Sequence, residues 1–161
     1  MQSSVATDVS ASKNGALADS RPSTVESHVA TESIPFGRFV CRITASPDES
    51  CSLPAVTGDV TSGRAIGFSV YDASKEDNAA DGYLDNEPVS VLRKGLIWVD
   101  CETAAAVGGA VFVRFQDAGA LGLGAVRNDA DTADAVALPG AYFRSVLSGA
   151  GIVQIEVNLP Q

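Results

Sequence analysis

The sequence has a single histidine, His28, and only three cysteines, Cys41, Cys51 and Cys101. One imidazole in a Ser- and Thr-rich stretch supplies neither a His-based catalytic triad nor a His-rich metal site. The cysteines are odd in number and include no C-x-x-C pair, so the usual zinc-ligand spacing is absent. We interpret them as free thiols in a reducing compartment, and a Cys41–Cys51 bridge across a hairpin stays open as an alternative.

Positive charge is also scarce, with 11 Lys and Arg against 20 Asp and Glu and a formal net charge of −9. Arg38 and Arg42 lie on one predicted strand face and are interpreted as solvated side chains, with ion pairs to a partner protein as the alternative. A chain without a dense positive field is not expected to bind nucleic acid or an anionic membrane surface. No apolar run approaches the roughly 20 residues that span a bilayer. The first residues also lack a signal-peptide pattern, so we expect cytoplasmic synthesis without Sec-type export.

Chemistry-bearing motifs are weak throughout the chain. The acidic loop over residues 72–87 could offer paired carboxylates or calcium ligands, but the EF-hand order of ligands is absent. The G-x-x-G-x-G run over 119–124 is not the phosphate-binding order and precedes no helix. Solvated loops are the favoured interpretation of both segments. The sequence therefore predicts no enzyme, no cofactor and no metal site.

From Ile34 onward, short alternating segments separated by turns predict β-strands. The alternating segments lie at 39–43, 66–70, 89–101, 111–115 and 153–157. Gly95 interrupts the third of these, which is typical of a bulge or sharp bend. No run of 12 or more residues shows a helical stripe, so parallel βαβ units have no helices to build them. We predict an all-β fold, either a jelly-roll-like β-sandwich or a small β-barrel.

Residues 1–33 differ in composition from the rest of the chain, being rich in Ser, Thr, Ala and Asp without aromatics. Such a segment buries too little apolar surface to offset its ordering entropy. We therefore divide the chain into an extended N-terminal arm, 1–33, and a β-domain, 34–161. The arm is either flexible or ordered on a partner, and its isolated valines and Leu17 would suit shallow pockets on another subunit.

Six segments supply a more specific pattern through their order and spacing. They are IPFGRFV (34–40), AIGFSV (65–70), EPVSVLRKGLIWV (87–99), AVGGAVFV (106–113), LPGAYF (138–143) and IVQIEV (152–157). Together they resemble the head-decoration, or structural cement, proteins of tailed bacteriophages. The resemblance covers residues 34–157 and brings no catalytic residues with it.

The resemblance implies a non-enzymatic protein on the outer capsid surface of a virion, made in the host cytoplasm. Its partners would be the major capsid protein and further copies of itself in a dimer or trimer. The candidate capsid or subunit contacts are Val5, Val9, Leu17, Val25, Val29, Ile34, Phe36 and Trp98. The alternative is a carbohydrate-binding or host-attachment module, for which exposed Tyr71 and Tyr83 beside the acidic loop would be the feature to examine.

Overall fold

A computed structural model describes residues 13–19, 21–43, 49–76, 81–117 and 121–160, and its regular structure is almost entirely β. The all-β prediction is confirmed, while jelly-roll connectivity stays a prediction. One short helix, α1 (Thr57–Thr61), and two 3-10 turns, Ala73–Lys75 and Asp131–Ala133, are the helical elements of these ranges, and none of them could cross a membrane. The strands are β1 Thr24–Ala30, β2 Ile34–Pro35, β3 Phe39–Arg42, β4 Ser50–Ser52, β5 Ala65–Ser69, β6 Gly82–Tyr83, β7 Pro88–Cys101, β8 Ala110–Arg114, β9 Val126–Arg127, β10 Ala135–Phe143 and β11 Gly151–Asn158.

The long strand β7 is shared by two rings of paired strands. Its first half pairs with β1 and β5, and its second half pairs with β11 and meets β9 at Cys101. In the first ring the paired strands follow the order β1-β4-β3-β5-β7, and β7 also pairs with β1. In the second ring the order is β7-β11-β10-β8-β9, and β9 also pairs with β7. Strands β2 and β6 form a separate two-stranded ribbon. Ring closure pairs strand edges that would otherwise be exposed, which is the barrel-like solution to the edge problem.

A bulge near the middle of β7 changes which core its side chains enter. Lys94 pairs with Thr24 and Leu92 with Val25, so Arg93 is an extra residue on β7. Gly95 follows with a φ of +139°, near the interruption predicted from the sequence. Before the bulge, Val89 and Val91 enter a smaller core cluster while Leu92, on the opposite face, enters a larger one. After the bulge the faces are exchanged, and Ile97, Val99 and Cys101 enter the larger cluster. The bulge thereby lets one strand serve two cores.

The cysteines are small core residues rather than a bridge. All three are free and buried, Cys41 and Cys101 in the larger cluster and Cys51 in the smaller one. Burial disfavours the thiolate and raises the pKa of each thiol, to about 12 for Cys51. The open alternative of a Cys41–Cys51 disulfide is therefore not the one that the fold adopts.

We expect the folded protein to resist thiol reagents, because both access and thiolate formation are suppressed. At pH 8 an aromatic disulfide reagent should react slowly with the native chain, and after unfolding in denaturant it should react with three cysteines per chain. The absorbance of the aromatic thiol released by each reaction measures the labelling rate and the number of reactive cysteines. Rapid labelling of even one cysteine in the native protein would contradict this packing.

Part of the segment expected to be an arm belongs to the sheet. Strand β1 pairs with six residues of β7 and runs parallel to β4, with His28 and Ala30 buried. Further upstream, the N–H of Gly15 donates to the carbonyl of Trp98 at 2.7 Å, and the N–H of Ala18 donates to Leu96 at 2.9 Å. The boundary drawn at residue 33 thus cuts through paired structure. A strand needs only one apolar face and a backbone partner, so a Ser- and Thr-rich segment can form a strand that its composition does not indicate.

Close backbone approach explains Gly67 on β5. Its φ is +147°, and a Cβ at this position would overlap the carbonyl oxygen of Leu92 on the neighbouring strand. We expect Gly67→Ala to lower the free energy of unfolding by about 2–4 kcal/mol, from strain and steric displacement together. Gly63→Ala is the matched control, since nothing lies within 4 Å of the added Cβ there. Chemical denaturation compares the two, and equal stabilities would contradict the close approach.

Candidate interaction surface

Three adjacent strands, β7, β11 and β10, present one outward face of the second ring. Trp98 lies opposite Gln154, Asp100 opposite Ile152, and Tyr142 opposite Glu156. The residues that alternate with them are buried in the larger core cluster, namely Val99, Val153, Ile155, Val157 and Phe143. We call the side chains of Trp98, Tyr142, Ile152, Gln154 and Glu156 the outer face.

The outer face carries two aromatic side chains of the kind that concentrate binding energy at interfaces. Tyr142 is 51% exposed, and Trp98 is partly buried. Tyr and Trp bring large apolar area at little conformational cost, and they dominate measured interface hot spots. Sequence reasoning included Trp98 among the candidate contacts but did not select Tyr142. Its position between the buried Ala141 and Phe143 was the signal that could have found it.

A surface ion pair borders this face. The Nε of Arg144 lies 3.2 Å from Oε2 of Glu156, and both side chains are more than two-fifths exposed, at 44% and 43%. Exposed pairs of this kind contribute little to stability because water screens them. They are free to exchange their partner for a charge on another protein, as rim residues of interfaces do.

The other predicted contact residues fall into three groups. Leu17, Val25 and Val29 are exposed, and Leu17 pairs with Ile97 next to Trp98 on the edge of β7. Ile34 and Phe36 are buried in the smaller core cluster, where they pack within this chain, and Phe36 keeps 4% of its surface exposed. The remaining two, Val5 and Val9, lie outside the described residues.

The tyrosines that the carbohydrate-binding alternative depends on are not an exposed pair. Tyr83 is only 1% exposed, and its hydroxyl donates to the carbonyl of Val70 at 2.7 Å. The Tyr71 ring packs edge-on against Phe36 at 5.1 Å, and its hydroxyl donates to Glu76. Sugar rings stack on open aromatic faces, and this pair does not provide two of them.

A cluster of ion pairs closes the second ring where β7, β8 and β9 meet. Arg114 Nη2 donates to Glu102 Oε2 at 2.7 Å and to Asp131 Oδ2 at 2.5 Å. Arg127 Nη1 donates to the same two carboxylates at 3.0 and 2.9 Å, and Arg127 Nε donates to Asp129. The Glu102 and Arg114 side chains are only 6% and 1% exposed. We call these five residues the Glu102 cluster.

The pKa of Glu102 reflects a balance between its burial and its hydrogen bonds to the two arginines. Burial disfavours its charged form, but the hydrogen bonds from Arg114 and Arg127 outweigh burial and lower the pKa below its usual value. Both arginines have raised pKa values, because the same carboxylates outweigh their burial. The cluster is therefore charged at neutral pH. It ties the loop after β9 to the end of β7.

No three His, Cys, Asp or Glu side chains converge as metal ligands in the ranges that the structure describes. The only histidine is 5% exposed on β1, with Nε2 at 3.4 Å from Glu26.

Comparison with known proteins agrees with this description. A sequence model of the structural cement protein family (E217 gp24/Pam3 gp6) matches residues 1–158. A chain from the capsid of Myoviridae phage XM1 has the same fold, with a TM-score of 0.71 at 17% identity, over 98% of this chain and 97% of that chain. No curated protein sequence matches the chain. With nearly its whole length matched, the chain belongs to the structural cement protein family, whose members have a structural role in phage capsids.

Proposed function

We propose that this protein binds the outer surface of a phage capsid and stabilises contacts between neighbouring major capsid subunits. The family match over residues 1–158 carries the proposal, because it includes both rings of the fold and the segment before them. The role is binding rather than catalysis. In support, the one imidazole is buried against Glu26 and the three thiols are buried and protonated.

Thermodynamic linkage explains how binding would strengthen a capsid. A protein that binds the assembled lattice but not free subunits stabilises the lattice by RT ln(1 + [L]/Kd). We propose a dimer or trimer as the active form, since linked sites gain affinity through effective concentration. Each copy then needs only a modest interface.

The outer face is the surface that we propose for this contact, together with the exposed Leu17, Val25 and Val29. It combines Trp98 and Tyr142 with polar side chains and a rim ion pair, which is the composition of a non-obligate interface. The net charge of −9 would face solvent elsewhere on the molecule and reduce association between virions.

Adding purified protein to expanded capsids that lack it tests the proposal. We expect saturable co-sedimentation and a rise in the temperature at which the capsids rupture. Capsids incubated with the heat-unfolded chain serve as the control. Failure to co-sediment at micromolar concentration, or binding without any rise in rupture temperature, would overturn the stabilising role.

A further inference from the structure

A cleft of about 500 Å³ lies beside the outer face. Its walls come from the segment before β1, the turn between β2 and β3, described residues between β5 and β6, and the ends of β7 and β11, and they include Asn14, Phe36 and Ile152. The charged side chains of this lining are Lys13, Arg38, Glu76, Asp81 and Asp100, and Lys13 is paired with Glu76. Asp100 and Ile152 are opposite each other on the outward side of β7 and β11. A chain that rests on the outer face would therefore pass the cleft.

Arg38 is the unusual group in this cleft. Its side chain is buried, with the residue only 8% exposed, yet among the described residues neither Nε nor Nη1 has a hydrogen-bond partner. Three other buried arginines, Arg93, Arg114 and Arg127, each bind a carboxylate. Burial lowers the pKa of Arg38, and the charges of Asp100 and Glu102 only partly oppose this. A buried guanidinium with two nitrogens that lack hydrogen-bond acceptors is a costly arrangement, and an anion bound beside it would offset its charge.

The Arg38 backbone is held in place before any ligand arrives. Its N–H donates to Ser69 Oγ at 3.0 Å, and its carbonyl accepts from the Ser69 N–H at 2.9 Å. Across the cleft, Asn14 Nδ2 donates to the carbonyl of Phe36 at 2.6 Å while Asn14 Oδ1 accepts from the N–H of Asp100 at 2.9 Å. The backbone that forms the cleft is therefore preorganised, so binding would order few additional backbone groups.

We propose that Arg38 receives a carboxylate of a partner polypeptide in this cleft, either an Asp or Glu side chain or a C-terminal carboxylate. A charge-assisted hydrogen bond from a guanidinium N–H to a carboxylate is stronger than one to a neutral carbonyl, which favours this ligand. The apolar walls at Phe36 and Ile152 suit the stem of a side chain, and the position beside the outer face assigns it to the chain bound there. This inference rests on the proposed function and names the chemistry of its partner.

Arg38→Met tests the inference through two opposite effects. In the free protein, removal of an unpaired buried charge should raise the melting temperature by about 2–6 °C. In the titration of capsids, the same change should weaken binding at least about 30-fold, because the partner carboxylate loses its cation. Arg93→Met is the matched control. It removes a buried arginine that already binds Glu26, and it should lower the melting temperature.

The outcomes separate the inference from the function it rests on. If wild-type protein binds capsids and Arg38→Met binds equally well, the carboxylate site is overturned and the capsid role stands. A fall in the melting temperature of free Arg38→Met would show that Arg38 is already paired within its own chain, which also overturns the inference. A cryo-EM map of decorated capsids distinguishes a side-chain carboxylate from a chain terminus, and a backbone carbonyl or water at Arg38 would contradict both.

Discussion

Glu102→Gln is expected to lower the free energy of unfolding by about 3–5 kcal/mol at pH 7. Glu102 accepts hydrogen bonds from Arg114 and Arg127 in a site where its side chain is 6% exposed. A neutral amide of the same shape would leave the buried Arg114 with Asp131 as its remaining carboxylate, while Arg127 would keep Asp131 and the exposed Asp129. Urea denaturation followed by tryptophan fluorescence measures the loss through Trp98, the only tryptophan.

The loss of stability caused by Glu102→Gln should depend on pH. The pKa of Glu102 is lowered on folding, so its contribution is complete above the unfolded value near 4.5 and disappears as the pH falls through the lower folded value. The stability difference between wild type and Glu102→Gln should therefore be largest at neutral pH and shrink below pH 4.5.

Asp129→Asn is the matched control within the same cluster. Its side chain is 59% exposed and pairs with Arg127 from the solvent side, so its loss should cost less than about 1 kcal/mol. Equal losses for the two variants, or a Glu102→Gln difference that stays constant from pH 7 to pH 3, would contradict the assigned electrostatic role.

Tyr142→Ser is expected to weaken capsid binding at least about 30-fold while the free energy of unfolding changes by less than about 1 kcal/mol. Tyr142 is 51% exposed, so little of its ring contributes to the fold, whereas an interface would bury it beside Trp98. Titration of capsids with labelled protein measures the affinity.

Val56→Ser is the control for this second prediction, because Val56 is similarly exposed, at 53%, but precedes α1 and is not part of the outer face. We expect it to bind as wild type does. Equal binding by all three proteins would remove the outer face from the contact, and equal weakening by both variants would indicate a general effect of lost apolar surface.

Local patterns in the sequence predicted the strands well, because period-two alternation is a property of each segment by itself. Residues 89–101 were assigned as one interrupted strand, and the structure has β7 there with a bulge. Strand β1 was missed, because its outward positions Val25, Ser27 and Val29 are exposed and its identity depends on pairing with the distant β7. The closure of two rings through one strand likewise depends on contacts that no local pattern records.

The candidate surface was predicted only in part, for similar reasons. Trp98 was among the candidate contacts, and the structure places it on the outer face. Ile34 and Phe36 were also candidates but lie in the smaller core, since hydrophobicity alone does not distinguish a core from an interface. Arg38 was interpreted as a solvated strand residue, and its burial arises from the turn and the β7 end packed around it.

The copy number of this chain in purified phage particles tests the central claim most directly. Quantitative mass spectrometry against the major capsid protein gives the ratio. The account predicts hundreds of copies per particle, in a fixed ratio to the major capsid protein. A handful of copies would place the chain at a vertex or tail and favour host attachment, and absence from the particle would contradict a capsid role altogether.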